Sequence, residues 1–237
     1  MLQHHGLDLS RDAVSFQLKA PIRQISSSSL FSDCERSPVG GFCLLRVRVE
    51  LTGVFWLPHI LGEVLVASES GAANLWTVGK GLQKVYAEDT NLYFNAKSSW
   101  RWCEFSAHPR VMLYADRTGA ELTDMRGNLT SGHTLFRISS SLECRSGERL
   151  LLSRYLGDVH PFHHLITTQY SAYIMDERFP CTPMLKWDHM MKAPPIFCHV
   201  VPPSAASDSG KDKTTKVLLG SQRSQEIMML QYSGEVY

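Results

Sequence analysis

Along this chain, apolar residues gather in runs of four or five and do not recur at the three-four spacing of an amphipathic helix. Breakers separate the runs. The clearest stretch is Val111-Met112-Leu113-Tyr114-Ala115, apolar enough for a strand buried on both faces. It leads into the turn Asp116-Arg117-Thr118-Gly119 and the returning run Ala120-Glu121-Leu122-Thr123-Asp124. In such a turn Asp116 can accept backbone amides, and Gly119 tolerates a positive φ. The same grammar recurs in residues 64–68 with 73–77, in 165–169 with 171–176, and in 217–220 with 227–231. Taking Leu65, Leu113, Ile166 and Leu218 as equivalent gives steps of 48, 53 and 52 residues. A period of roughly 50 fits a repeat of four short strands.

These hairpins predict an all-β chain, a WD40-like β-propeller. Residues 21–25 read as a strand and 42–51 as a longer one. Its tail alternates, with Leu45, Val47, Val49 and Leu51 on one face and Arg46, Arg48 and Glu50 on the other. That earlier unit brings the count to about five blades, and the chain does not complete the last one by residue 237. The propeller is therefore read as incomplete, with unpaired strand edges. Residues 1–13 are polar and expected to be loose. Residues 14–237 are read as one partial propeller with mobile loops near 26–41 and 202–216, both rich in breakers or polar residues.

Composition narrows the function classes. A hydrophobic fraction of 43%, a charged fraction of 20% and a formal net charge of +1 describe an ordinary globular protein with no global field toward nucleic acid or membrane. The six cysteines include no C-x-x-C pair, so neither a zinc scaffold nor a disulfide framework is indicated. The first residues hold no apolar core of a signal peptide, and residues 53–67 are too short and too interrupted to span a bilayer. The reading is a soluble chain with no membrane partner.

Asp124 and Asp176 end equivalent strands, each followed two residues later by an arginine, Arg126 or Arg178. Propeller hydrolases gather carboxylates near the axis, but fixing of the blade by strand-end aspartates is the simpler expectation. Gly71, Trp76, Asp116, Gly119, Asp124, Arg126, Asp176 and Arg178 are therefore assigned to blade structure. His160, His163 and His164 form the densest histidine cluster, at irregular spacing, and are read as a solvent-facing loop. Gly79-Lys80-Gly81 lacks the rest of a phosphate-binding loop, and no nucleophile elbow or zinc-protease motif occurs. No catalytic residue, cofactor or metal is assigned. Trp100, Arg101, Trp102, Arg110, Lys186 and Trp187 are the candidates for partner binding, since aromatic residues and arginine dominate binding hot spots. In Trp100-Arg101-Trp102 the alternation puts both indoles on one strand face and Arg101 on the other. Arg46 and Arg48 could meet DNA phosphate, though Glu50 dilutes them.

The string Trp100-Arg101-Trp102-Cys103-Glu104-Phe105, the runs around Tyr114-Ala115-Asp116-Arg117 and Leu122-Thr123-Asp124-Met125-Arg126, and the later Met175-Asp176-Glu177-Arg178 and Met184-Leu185-Lys186-Trp187 carry a family likeness. Together they resemble the C-type family among the TATA-box-binding-protein-associated factors of RNA polymerase I, a component of its selectivity-factor complex. The resemblance covers residues 99–189. It implies a non-enzymatic scaffold at ribosomal RNA gene promoters, in the nucleus and nucleolus. It also implies TATA-box-binding protein, its associated factors and RNA polymerase I as partners, with any ribosomal DNA contact weak and shared through the complex. A generic WD40-like adaptor is the alternative, and a propeller hydrolase a more distant one.

Overall fold

The structure is a computed structural model. It describes residues 63–68, 71–77, 80–88, 98, 100–127, 132–141, 144–203 and 214–233, and the backbone alone of 25–26 and 51–56. Among the described residues, apart from one 3-10 turn, Ile138–Ser140, the regular elements are strands. They fall into four sheets. Sheet 1 holds β1 (Ile25–Ser26), β2 (Leu51–Trp56), β3 (Glu63–Ser68), β4 (Ala72–Thr77) and β5 (Gly81–Ala87), in that spatial order. Sheet 2 holds β6 (Trp102–Phe105), β7 (Val111–Ala115), β8 (Gly119–Asp124) and β9 (His133–Arg137). Sheet 3 holds β10 (Leu150–Tyr155), β11 (His163–Thr168), β12 (Ser171–Asp176) and β13 (Pro183–Asp188). Sheet 4 holds β14 (Phe197–Val201), β15 (Thr215–Ser221) and β16 (Glu226–Tyr232). Every pairing is antiparallel except the two-residue bridge of β1 on β2.

Each predicted hairpin is an adjacent pair of its sheet: β3–β4, β7–β8 and β11–β12 lie inside theirs, and in β15–β16 the second strand is the edge of sheet 4. Period-two alternation explains how one strand feeds two cores. From β11 and β12, Leu165, Ala172 and Ile174 point to one side, where Val217, Leu219 and Leu230 of sheet 4 meet them. Ile166, Tyr173 and Met175 point to the other side, into a core that runs through sheets 2 and 1. Tyr173 lies 4.9 Å from Phe136 there. Strands covered on both faces need apolar residues at consecutive positions, which is why these hairpins read as unbroken runs. Each fully buried leucine or isoleucine contributes about 1.5–3 kcal/mol relative to exposure.

The faces refine the repeat. Glu63 reaches sheet 2, so Leu65, two residues on, faces that way too. Leu113 sits opposite Glu104, whose carboxylate accepts the Tyr155 amide of sheet 3 at 2.8 Å. The residue that faces forward from sheet 3 is Leu165, not Ile166, because a one-residue slip turns a side chain to the opposite face. Leu65, Leu113, Leu165 and Leu218 thus share the forward face, at steps of 48, 52 and 53. On sheet 4 that face carries Phe197, Val201, Ile227 and Met229, all exposed.

Other readings shift at the edges. Residues 27–50 lie outside the described residues, and with them the alternating tail up to Glu50, Arg46 and Arg48. Of the expected loops, Ser26 belongs to β1, and 204–213 lie outside the described residues. Thr215 and Lys216 belong to β15, where they pair with Tyr232 and Gln231. Gly119 does not take a positive φ. Its need is room: a Cβ there would meet the Phe136 carbonyl oxygen at 2.6 Å. Gly71 has both requirements, with φ +80 and a Cβ position 2.5 Å from the Glu88 carboxylate.

Candidate functional site

The rims of sheets 2 and 3 are built from one repeated device. In the turn before β7, the Arg110 amide donates to His108 Nδ1 (3.1 Å) and the Val111 amide to the His108 carbonyl (2.9 Å). In the turn before β11, the Phe162 amide donates to His160 Nδ1 (3.3 Å) and the His163 amide to the His160 carbonyl (3.2 Å). A His-Pro start thus makes the same turn twice, its imidazole standing in for a backbone acceptor. The neighbouring strand ends complete the device. Asp124 Oδ1 accepts the Arg126 amide at 2.9 Å while its two oxygens take Nε and Nη2 at 2.9 and 2.6 Å. Asp176 treats Arg178 the same way, at 2.8 Å to the amide and 2.7 Å to Nη2.

Burial separates the two copies. Asp124 is 43% exposed in its side chain, whereas Asp176 is 0%. The bonds from Arg126 bring the Asp124 carboxyl down to about 2. At Asp176 burial pushes upward, yet the hydrogen bonds from Arg178 outweigh it and hold the carboxyl below its ordinary range. The Arg178 guanidinium also lies over Phe162, 4.9 Å from the ring centroid.

The histidine cluster is part of this rim, contrary to the solvent-loop expectation. His163 and His164 belong to β11, and His164 is fully buried with Nε2 2.6 Å from Glu177 Oε1. The sequence hid this because the acidic partners come from β12 and the turn after it, not from neighbours in the chain. His163 occupies the place of Val111: it pairs with Asp176 as Val111 pairs with Asp124. Its ring stacks on His160 at 3.9 Å. Burial, then the neighbouring His160, keep its pKa down at about 4. His160, His163 and Asp176 bring potential metal ligands within 4.8 Å of one another. Two of the three are already engaged: His160 Nδ1 accepts the Phe162 amide, and both Asp176 oxygens accept from Arg178, while His163 Nδ1 is buried without a hydrogen-bond partner among the described residues.

The tryptophan motif divides. Trp102 is buried in the core between sheets, and Trp100 is half-buried, stacked on it at 6.3 Å with the Arg117 guanidinium 4.4 Å from its ring. Arg101, expected on an open face, is 4% exposed. It donates from Nη2 to Glu88 at 2.8 Å and from Nη1 to the Ser98 carbonyl at 2.6 Å. Glu88, just beyond β5, draws it inward, so neither Arg101 nor Trp102 is open to a partner. Arg110 is turned toward Glu63 of sheet 1. Lys186 is exposed on β13, its Nζ 6.0 Å from the Tyr173 ring centroid, and half-buried Trp187 packs against Tyr232 of sheet 4. Trp76 is a half-buried residue of β4 opposite Val64. Asp116 Oδ1 accepts the amides of Thr118 and Gly119 at 2.6 and 3.0 Å.

Three acidic residues to which the sequence reading gave no role join the sheets. They are Glu63 to Arg110, Glu88 to Arg101 and the Tyr114 hydroxyl, and Glu104 to the Tyr155 amide. Burial raises the Glu104 carboxyl, and the charge of Arg154 and the Tyr155 amide restrain it. Each lies far in sequence from its partner, so spacing carries no signal.

Comparison with known proteins agrees with this architecture. Residues 38–157 match the family model described as TAF1C, beta-propeller. The corresponding TATA box-binding protein-associated factor of RNA polymerase I from Mus musculus is 37% identical over 92% of this chain and 28% of its own length. Its Homo sapiens counterpart is 39% identical over 81% of this chain and 22% of its own. The chain thus spans about a quarter of the length of these relatives. With the family model covering half of the chain, on strands that form four propeller-like sheets, this protein belongs to the TAF1C family.

Proposed function

We propose that this chain serves as a non-enzymatic propeller scaffold in RNA polymerase I initiation, within the factor complex that selects ribosomal RNA gene promoters. The observation that carries this reading is the family match, with relatives named as TATA box-binding protein-associated factors of RNA polymerase I. The rim supports it. Asp124 and Asp176, the carboxylates a propeller hydrolase would use, are each committed to their own arginine and turn amide. Sheets stiffened in this way present loops and outer strands as fixed surfaces. The partner surface we favour is β13, where Met184, Leu185 and Lys186 stand exposed beside Trp187. TATA-box-binding protein, its associated factors and the polymerase are the expected partners, and nucleus and nucleolus the expected location. Any promoter DNA contact is expected to pass through the complex.

The test is affinity purification of the tagged chain from nuclear extract after nuclease treatment, at moderate salt, with detection of TATA-box-binding protein and of RNA polymerase I itself. Recovery of either supports the scaffold. If neither is recovered, even with a chain extended to the length of the relatives, a generic adaptor becomes the better account.

A further inference from the structure

We propose that the rim formed by the β11–β12 turn, the loop before β10 and the segment after β13 docks an acidic protein segment that carries apolar side chains. This surface is separate from β13, and its test does not depend on the initiation factors.

Arginine pairing distinguishes the two rims. On the rim of the His-Pro turns, Arg110 is held by Glu63, Arg126 by Asp124 and Arg178 by Asp176. At the opposite ends of the strands, Arg145, Arg149 and Arg223 are exposed, and none has an ion-pair partner among the described residues. The carboxylates beside them are turned to the chain itself. Buried Glu148 accepts the Arg145 amide at 2.7 Å, and Glu226 accepts the Lys192 amide at 2.9 Å. Asp188 accepts the Ser171 hydroxyl at 2.7 Å, with Lys186 Nζ 3.9 Å away. The charge left to face solvent is positive, although the whole chain carries only +1.

These arginines flank apolar side chains. The Gln169 amide donates to the Arg149 carbonyl at 3.1 Å, and the Arg149 amide to Gln169 Oε1 at 3.0 Å. Next in the turn, exposed Tyr170 lies under the Arg145 guanidinium, 4.4 Å from its ring centroid. The His189 amide donates to the Tyr170 carbonyl at 3.1 Å, which brings Met190 to the same place. Met190 is 86% exposed and has φ 51, a left-handed backbone that non-glycine residues seldom adopt. Buried His189 helps to fix it, its Nδ1 accepting the Met191 amide at 3.3 Å. The fold thus holds a strained backbone while presenting an apolar side chain to water, a combination that points to function. Exposed Ile196 extends the apolar strip toward the turn of Arg223, its amide donating to the Gly220 carbonyl at 2.9 Å.

This composition selects the partner. Arginine and tyrosine dominate binding hot spots, and methionine adapts to apolar partners. Arginines without a carboxylate of their own can receive aspartate or glutamate through paired bonds. A phosphate backbone would use the arginines and leave Met190 and Ile196 without a contact, so the surface fits protein and not duplex DNA.

The experiment is fluorescence anisotropy of the whole chain with a fluorescein-labelled peptide of three Glu-Phe-Asp-Leu repeats. Saturable binding is expected, at least about tenfold tighter than to Gln-Phe-Asn-Leu or Glu-Ser-Asp-Ser repeats. The double variant Arg145→Gln/Arg149→Gln should weaken it about tenfold. Met190→Gly suits the positive φ and removes only the side chain, so it should keep the fold and weaken binding at least about threefold. Arg126→Gln, on the opposite rim, should change nothing. Absence of saturable binding overturns the proposal, as does equal binding of either control peptide. Binding that either rim variant leaves intact, or tighter binding of a twelve-base-pair DNA duplex, overturns it too. Should the arginine double variant fail to fold by circular dichroism, the Met190→Gly result decides alone.

Discussion

Arg110, in the turn before β7, grips Glu63 of β3 with two parallel bonds, Nη1 to Oε2 at 2.7 Å and Nη2 to Oε1 at 3.1 Å. Glu63 is 6% exposed and the Arg110 side chain 31%, so the pair fastens sheet 2 to sheet 1 partly out of water. Removing one partner leaves a desolvated carboxylate, which costs more than the pair itself contributes. Arg110→Ala should lower the unfolding free energy by about 1–3 kcal/mol in urea titration at pH 7. The double variant Glu63→Gln/Arg110→Met should recover most of that loss. A double variant as unstable as the single one would mean that packing around the pair, and not its charge, joins the sheets.

The repeated rim device allows a matched comparison. Asp176→Asn should cost about 2 kcal/mol, because it strips charge from a fully buried acceptor of four bonds from Arg178. Asp124→Asn, in the open copy, should be unchanged within the error of urea titration. Equal losses at the two sites would show that burial does not set the difference.

His163 should make the protein sensitive to mild acid. The fold keeps this imidazole neutral down to about pH 4, against an ordinary value near 6.5. The folded state therefore binds the proton less readily than the unfolded one. Its contribution is complete above about pH 6.5 and is lost as pH falls toward 4. The groups facing it are His160, Asp176, Arg178 and His164, and both the strand-end aspartates titrate below this window. His163→Val, which installs the residue found at the matching place in sheet 2, should flatten the dependence of the urea midpoint between pH 7 and 4.5. A variant as acid-sensitive as the parent would assign the effect to another group.

What the sequence disclosed follows from the same physics. The hairpins were legible because β3, β7, β11 and β12 are buried on both faces, so their apolar runs are long, and because turns are marked by Gly71, Asp116 and Gly119. The outer and inner strands were not. β13, Pro-Met-Leu-Lys-Trp-Asp, is mostly exposed and its apolar residues follow no period-two pattern, while β2 carries Gly53 at a register shift and passes for part of a longer apolar stretch. At the candidate site, Asp124 with Arg126 and Asp176 with Arg178 were visible because the partners are two residues apart. The inward turn of Arg101 and the pairing of Glu63 with Arg110 were hidden, since each depends on strands brought together by the fold. The Ile166 misalignment has a similar origin: both neighbours in β11 are apolar, and only the adjacent sheet decides which faces forward.

Sheet 4 offers a direct test of that face assignment. Leu219 is fully buried against sheet 3, whereas Leu218 shares the forward face with Met229, its partner across β16, and with Ile227, which is 70% exposed. Leu219→Ala leaves a cavity between sheets and should cost about 2–5 kcal/mol. Ile227→Thr changes a surface position on a strand it still suits, and should stay within about 0.5 kcal/mol of the parent. Both are read from urea denaturation of the 237-residue chain. A large loss at Ile227 with a small one at Leu219 would reverse the two faces. The forward direction would then have to be redrawn from Leu65 onward.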